Sequence, residues 1–312
     1  MGDPRVAPTT THSGVWLPDR HAFNRRLPYL LLAPSVIVLL ALILYPLAFA
    51  LRNSFWFWNL QMGPAPLYYS GLDNYRMVFQ VTPFAVALKN TLLLAFLGTF
   101  AQFWFGMGVA LLLHTHLRGL GLMRALLIMP TTLAPVVAGF LFRYLLEPKG
   151  GLLPWALEGI GFPVPPQGFL GNANTALLSI GLVDTWQWTP FFAIVLYAGL
   201  LSISEEVKEA AQVDGASPWR MFWSITLPLL RPIAAFLVMI RFMQLFNSFD
   251  LVFVLTSGGP GTASRTLSFN LYREGLVNYN IGLTAAMTWL VVIIVSVIIN
   301  LYLVFVYRKR EW

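Results

Sequence analysis

A chain of 312 residues is long enough to bury a large water-soluble core, yet 57% of its residues are hydrophobic and only 11% are charged. That is too apolar for an ordinary soluble domain and suits a bilayer. The absence of cysteine excludes disulfides, thiolate metal sites and cysteine nucleophiles, and the formal charge of +7 sits in Lys and Arg beside apolar stretches, a pattern of membrane orientation rather than of nucleic-acid binding.

Residues 1–27, with Pro4, Pro8, Pro18 and a run from Thr9 to Thr11, predict a disordered cytoplasmic tail. Residues 28–312 predict a single membrane domain. Its first apolar stretch, Pro28–Leu51, follows Arg25 and Arg26 and ends in Ala48-Phe49-Ala50, which superficially offers a signal-peptidase site. The apolar run is longer than the core of a signal peptide, so the expectation is an uncleaved anchor. Further stretches follow at Thr91–Leu113, Met123–Leu146, Ala176–Leu201, Leu229–Leu255 and Ile281–Val306. At about 20 residues or more, each can cross the roughly 30 Å hydrocarbon layer as a helix. The expectation is an all-α, polytopic membrane protein with six transmembrane helices.

Basic residues such as Arg25, Arg26, Arg118, Arg124, Lys208, Arg220 and Arg308 to Arg310 fall on one side of the alternating spans, with fewer on the other. This bias predicts both termini in the cytoplasm. Phe55 to Trp58 and Tyr68-Tyr69 suit either an aromatic belt at the outer interface or simple loop packing. Pro130 and Pro135 interrupt the third span and predict a bend, as occurs where helices line a cavity.

Between spans four and five lies a long cytoplasmic connection, residues 202–228. Ser202 and Glu205 have capping-box spacing, which starts a short helix running through Glu209, Ala210 and Ala211. Gly215 then supplies a turn, Ser217-Pro218 a second helix start, and Pro228 the beginning of the fifth span. Local features fit two readings equally: a small-residue surface that presses into a cleft on another protein, or an amphipathic helix lying on the membrane with Trp219, Phe222 and Trp223 buried.

The spacing Glu209-Ala210-Ala211, three residues, Gly215, nine residues, Ile225, one residue, Leu227-Pro228 resembles the cytoplasmic loop of importer-type ATP-binding-cassette (ABC) permeases. The resemblance implies that this is a coupling helix that docks on an ATPase subunit through Glu209, Ala210, Gly215 and their neighbours Ala211, Asp214, Ala216 and Trp219. Further along, Ala33-Pro34-Ser35 to Tyr45-Pro46, Gly71 to Tyr75, Lys89-Asn90-Thr91, Asp184-Thr185-Trp186 and Leu255 to Gly261 resemble carbohydrate permeases of the maltose type, in particular the first of their two permease subunits. The extra N-terminal helices and large external insertion of the larger maltose subunit are lacking.

Ionisable residues within spans are costly and face a cavity or a partner, which singles out Asp184, Arg241 and Asp250. Arg241, Leu245 and Ser248 share one helical face, with Gln244 beside them. Asp184, Gln187, Trp188 and Phe191 offer hydrogen bonds and flat aromatic surfaces, which a sugar ring needs; simple interhelical pairing of Asp184 with Arg241 is the alternative. The maltose-type resemblance implies that all of these except Asp250 lie at sugar-facing positions, and that Thr131 joins them.

No Gly-Lys dipeptide occurs, so the chain has no Walker-type phosphate loop. All four histidines were expected in tail or loop regions, and no His-Glu-x-x-His motif is present, which leaves a thin basis for an intramembrane enzyme. The expected function is that of a permease subunit in the bacterial or archaeal cytoplasmic membrane, carrying a sugar or sugar alcohol inward, with no cofactor of its own. ATP and magnesium belong to two partner ATP-binding subunits. A second homologous permease, an external solute-binding protein and membrane lipid complete the expected partners, and no nucleic acid is among them. A sugar-phosphate carrier and a transport-inactive sensor or scaffold are the alternatives.

Overall fold

The computed structural model describes residues 20–115 and 120–307. The predicted tail therefore lies outside the described residues up to position 19, while residues 20–27 continue a helix. Arg118 and Arg308 to Arg310 of the charge bias also lie outside them.

Helix α1 spans Arg20–Ser54, and within it, between Ala50 and Leu51, the chain divides into two compact units. The first unit is this apolar helix with Pro28, Pro34 and Pro46 inside it. Leu30, Leu31, Ile37, Leu42 and Leu44 are all exposed. A helix apolar on every side is suited to lipid, not water.

In the second unit, a two-residue hairpin, β1 (Trp56–Phe57) and β2 (Tyr68–Tyr69), departs from the all-α expectation. The aromatic clusters form its cross-strand pairs: Phe57 stacks on Tyr68 at 5.0 Å and Trp56 meets Tyr69 edge-on at 5.7 Å. Asn74 fixes the hairpin by donating to the carbonyls of Ser54 and Trp56. Helices α2 (Asp73–Val81), α3 (Phe84–His114), α4 (Leu120–Thr132) and α5 (Pro135–Leu145) follow. Helices α4 and α5 meet at 99°. The third predicted span is thus a broken one, and its break falls at Leu133-Ala134 with Pro135 opening the new helix rather than kinking the old one.

Two short helices, α6 (Leu152–Gly159) and α7 (Gly168–Gly171), lead to α8 (Ala176–Leu201) and α9 (Glu205–Val213). Next, α10 (Pro218–Met221) passes through a π-helical turn at Phe222–Thr226 into α11 (Leu227–Phe246), giving one continuous rod over Pro218–Phe246. The predicted fifth span continued to Leu255. Instead α11 ends at Asn247, and α12 (Asp250–Leu255) is a separate helix. Helix α13 (Leu267–Tyr272), a π-helical turn at Arg273–Val277 and α14 (Ile281–Tyr307) complete the described chain. Among the described residues, four helices meet the length and apolarity of a membrane span, and two bent pairs bring the total to as many as six.

The unit is built inside out relative to a soluble protein. Helix α3 buries Asn90, Thr91, Thr99 and Gln102 while exposing Phe96, Leu97 and Phe100; α8 buries Ser179, Asp184 and Gln187 while exposing Leu178 and Leu182. Asn90, Thr91, Gln102 and Asp184 thus find partners within the bundle, and lipid meets hydrocarbon. Small residues let α3 and α8 approach closely: a Cβ on Gly106 would overlap Phe192 Cβ. Gly106→Leu is therefore expected to lower the thermal midpoint of the detergent-solubilised protein, at a cost of about 1–3 kcal/mol for overpacking. Gly108→Leu, where no atom lies within 4 Å of the added Cβ, should leave the midpoint in place. Equal midpoints for the two variants would contradict this packing.

Candidate functional site

The polar residues of three helices converge where α11 stops. Arg241, 3% exposed on α11, and Asp184, 4% exposed on α8, form an ion pair with Arg241 Nη2 2.6 Å from both carboxylate oxygens. Gln102 of α3, fully buried, bridges the pair: its Nε2 donates to Asp184 Oδ2 at 2.6 Å and its Oε1 accepts from Arg241 Nε at 2.9 Å. Arg241 Nη1 donates to Gln244 Oε1 at 3.1 Å, and the guanidinium lies 4.4 Å over the ring of Trp188. Charge, hydrogen bonds and aromatic face together offset the cost of placing these groups at membrane depth.

This network floors a cavity of about 240 Å³ that also includes Pro135, Leu245, Asn247, Ser248, Phe249 and Asp250. Of the cavities larger than this, those of about 390 and 550 Å³ are lined almost wholly by apolar side chains and give a polar solute little to bind. The break at residues 247–249 opens the small cavity. No hydrogen bond in the described structure uses the Gln244 amide nitrogen, the Asn247 side chain, the Ser248 hydroxyl or the Asp250 carboxylate, so four hydrogen-bonding groups remain unspent at its edge.

Of the nine residues expected to face a solute, Asp184, Trp188, Arg241, Gln244, Leu245 and Ser248 line this cavity together. Three do not. Gln187 is buried and donates to the Leu133 carbonyl at 2.8 Å, tying α8 to the break between α4 and α5. Phe191 packs in an apolar cluster with Phe192 and Leu196, and Thr131 Oγ1 donates to the Ile128 carbonyl within α4. Gln102 and Asn247 were not among the residues expected at the site, and Pro135, expected only to bend the third span, lines the cavity as well. An amide deep in the 31-residue apolar helix α3, twelve residues beyond Asn90, was the available signal for Gln102.

The loop 202–228 forms a second candidate site. Helix α9 begins at Glu205 with Ser204 as its N-cap; Ser202 instead closes α8, donating to the Gly199 carbonyl, so the expected capping box is absent. At the other end Gly215 has φ +74°, its N–H donates to the Gln212 carbonyl, and the Ala216 N–H donates to the Ala211 carbonyl. This is a Schellman motif, which requires a left-handed residue where glycine stands. Ser217 then caps α10 by accepting from the Arg220 N–H, with Pro218 at its first position. Glu209, Ala210, Asp214, Gly215 and Trp219 are exposed, Ala216 is half-buried and Ala211 is buried. Trp219 is 73% exposed and packs on no other helix of the chain's core, whereas Trp223 packs on Trp104 of α3. Lys208 Nζ lies 3.0 Å from both His114 Nε2, at the end of α3, and Glu205 Oε2. His114 is thus a helix-end residue rather than a loop residue.

On the loop between α12 and α13, Asn90 donates to the carbonyls of Thr262, Ala263 and Arg265 and holds this turn to α3. Burial first, and Arg273 second, lower the pKa of the Arg265 guanidinium from its ordinary value.

Residues 25–310 match the family described as binding-protein-dependent transport system inner membrane component. The chain is 32% identical to the sn-glycerol-3-phosphate transport system permease protein UgpA of Agrobacterium fabrum, over 93% of this chain and 97% of that protein. It is 31% identical to the trehalose/maltose transport system permease protein MalF of Thermococcus litoralis, over 88% and 92% respectively. A crystal structure of a bacterial ABC transporter involved in the import of the acidic polysaccharide alginate contains a chain similar in fold, with a TM-score of 0.79 and 26% identity over 94% of this chain and 99% of that one.

Proposed function

The chain belongs to the family of binding-protein-dependent transport system inner membrane components, and on that premise we propose that it carries a sugar or sugar alcohol through the membrane as the permease subunit of an ABC importer. It is a multi-pass protein of the inner membrane. Six spans follow if α4 and α5 count as one broken span and α9 is left in the cytoplasm as a coupling helix. The excess of basic residues beside that loop supports cytoplasmic termini. Residues 28–312 then form one transmembrane domain.

The observation that carries this proposal is the uninterrupted rod from Pro218 to Phe246. It starts one turn beyond the exposed Gly215 corner and carries Arg241 and Gln244 at its far end, about 35 Å away at 1.5 Å per residue. Lys208 links α9 to the end of α3, the helix that supplies Gln102. A displacement of the loop therefore reaches the cavity through two stiff helices. The docking partner is an ATP-hydrolysing subunit, present in two copies, which holds the ATP and magnesium; the chain itself supplies no hydrolytic group. A second, homologous permease faces the cavity and completes it, and an external solute-binding protein delivers the cargo.

Glycerol phosphate and trehalose or maltose appear in the names of relatives, and alginate in that of the structural neighbour. The unspent amide, hydroxyl and carboxylate groups beside Trp188 suit a polyhydroxylated solute, which pairs hydroxyls with such groups and a weakly apolar ring face with an aromatic one. The test is ATPase activity of the complex in lipid discs with its binding protein, across disaccharides, sugar alcohols and glycerol phosphate. Stimulation severalfold by one carbohydrate is expected; stimulation by none would refute the carbohydrate assignment.

A further inference from the structure

We propose that Asp250 makes the cavity an anion-excluding site that selects uncharged carbohydrates, its carboxylate accepting hydrogen bonds from solute hydroxyls. The proposal rests on the carrier function above and sharpens it, since relatives are named for an anionic solute and for neutral ones.

The charged side chains lining the cavity are Asp184, Arg241 and Asp250. Arg241 is already spent. Its Nη2 faces both oxygens of Asp184, its Nε is bound by Gln102, its Nη1 donates to Gln244, and one face is covered by Trp188. Of its five N–H donors a single one, on Nη1, is left for a solute. A phosphate or carboxylate needs a free cation with a fork of donors to offset its desolvation, and Arg241 offers neither. Asp250, by contrast, is exposed to the cavity, and its carboxylate has no hydrogen bond or ion pair among the described residues. Arg143, a cation packed against α12, donates to the Val254 carbonyl near the other end of that helix. Among the described residues, this chain's share of the lining therefore holds one carboxylate with no side-chain partner, at the helix break.

That charge acts in two ways. It repels an anion within 4–8 Å in a partly water-excluded site, where the interaction is worth far more than in bulk water. It also accepts hydroxyl hydrogen bonds, which are stronger to a carboxylate than to a neutral group. Asn247 and Ser248, one and two positions beyond the last residue of α11, add neutral donors and acceptors on the same edge.

The experiment is equilibrium binding of radiolabelled probes to the purified complete complex in lipid discs. Neutral trehalose, maltose and glycerol are compared with sn-glycerol-3-phosphate and an alginate trisaccharide. The wild-type complex should bind a neutral probe at least roughly tenfold more tightly than either anion. Asp250→Asn should narrow that ratio about tenfold, and Asp250→Glu should keep it. The conservative pair separates loss of charge from loss of fold. Wild-type binding of an anion as tight as of the neutral probes, or an unchanged ratio in Asp250→Asn, overturns the proposal and leaves the carrier function standing. Saturable binding of no probe also overturns the proposal, while the carrier function is decided by the ATPase test above.

Discussion

Gly215→Trp is expected to abolish transport while leaving the subunit folded. Gly215 is exposed with φ +74°, and no atom of the chain lies within 4 Å of a Cβ built there. The substituted residue thus meets only left-handed backbone strain of about 1–2 kcal/mol, small for a domain of this size. An indole at that corner instead occupies the surface that α9 and α10 present to the ATPase. Loss of a buried hot-spot contact of 2 kcal/mol or more corresponds to at least roughly 30-fold weaker docking. Gly215→Ala is the control, because it carries the same backbone strain without the bulk. Solute uptake into proteoliposomes should fall to background in the Trp variant and stay near wild type in the Ala variant, with similar thermal midpoints for both. Equal loss in the two would mean that the turn's conformation, not docking, is what matters; normal uptake with Trp would remove the loop from the coupling path.

The second large effect concerns the buried pair. Arg241→Leu leaves the Asp184 carboxylate, about 5% exposed, with Gln102 as its remaining partner. Breaking such a pair costs about 3–5 kcal/mol, enough to deplete the folded complex from membranes. Replacing Gln102, Asp184 and Arg241 together by leucine removes all three buried polar groups at once, and substitution of this kind is often neutral or stabilising. The triple variant is therefore expected to recover its yield of assembled complex. Transport should not recover, because the cavity then lacks its polar floor and the support that orients Gln244 and Trp188. Recovery of both would make the network a structural pair alone.

How much of this the sequence carries follows from what each signal measures. Apolar length revealed the spanning helices because lipid demands it, yet it ran α11 and α12 together: Phe249 and Leu251 to Leu255 are as apolar as a helix interior, and the polar residues at the stop, Asn247, Ser248 and Asp250, are too few to end an apolar stretch of this length. That stop opens the cavity, so the feature most important to the site was the least visible. Pro135 signalled the third span's interruption, though not that the chain would turn by 99° just before it. Gly215 was legible because a left-handed helix cap has a residue requirement. The choice between Ser202 and Ser204 as N-cap was not, since both precede Glu205 within one turn and Ser204 makes no side-chain cap bond. Asp184 and Arg241 stood out as charges in apolar helices, but their third partner, Gln102, lies 82 residues from Asp184 in sequence. Only the packing of α3 on α8 brings it there. Gln187 and Phe191 lie on the same helix as Trp188 but turn to other neighbours, which helical spacing alone did not resolve.

The most direct test of the central claim is accumulation of a labelled carbohydrate inside proteoliposomes holding the complete complex, with the binding protein outside and ATP within. The account predicts concentration of a neutral sugar or sugar alcohol against its gradient, dependent on ATP and absent from Gly215→Trp. ATP hydrolysis or solute binding without accumulation of any carbohydrate would contradict it, and would leave the chain a sensor or scaffold rather than a permease.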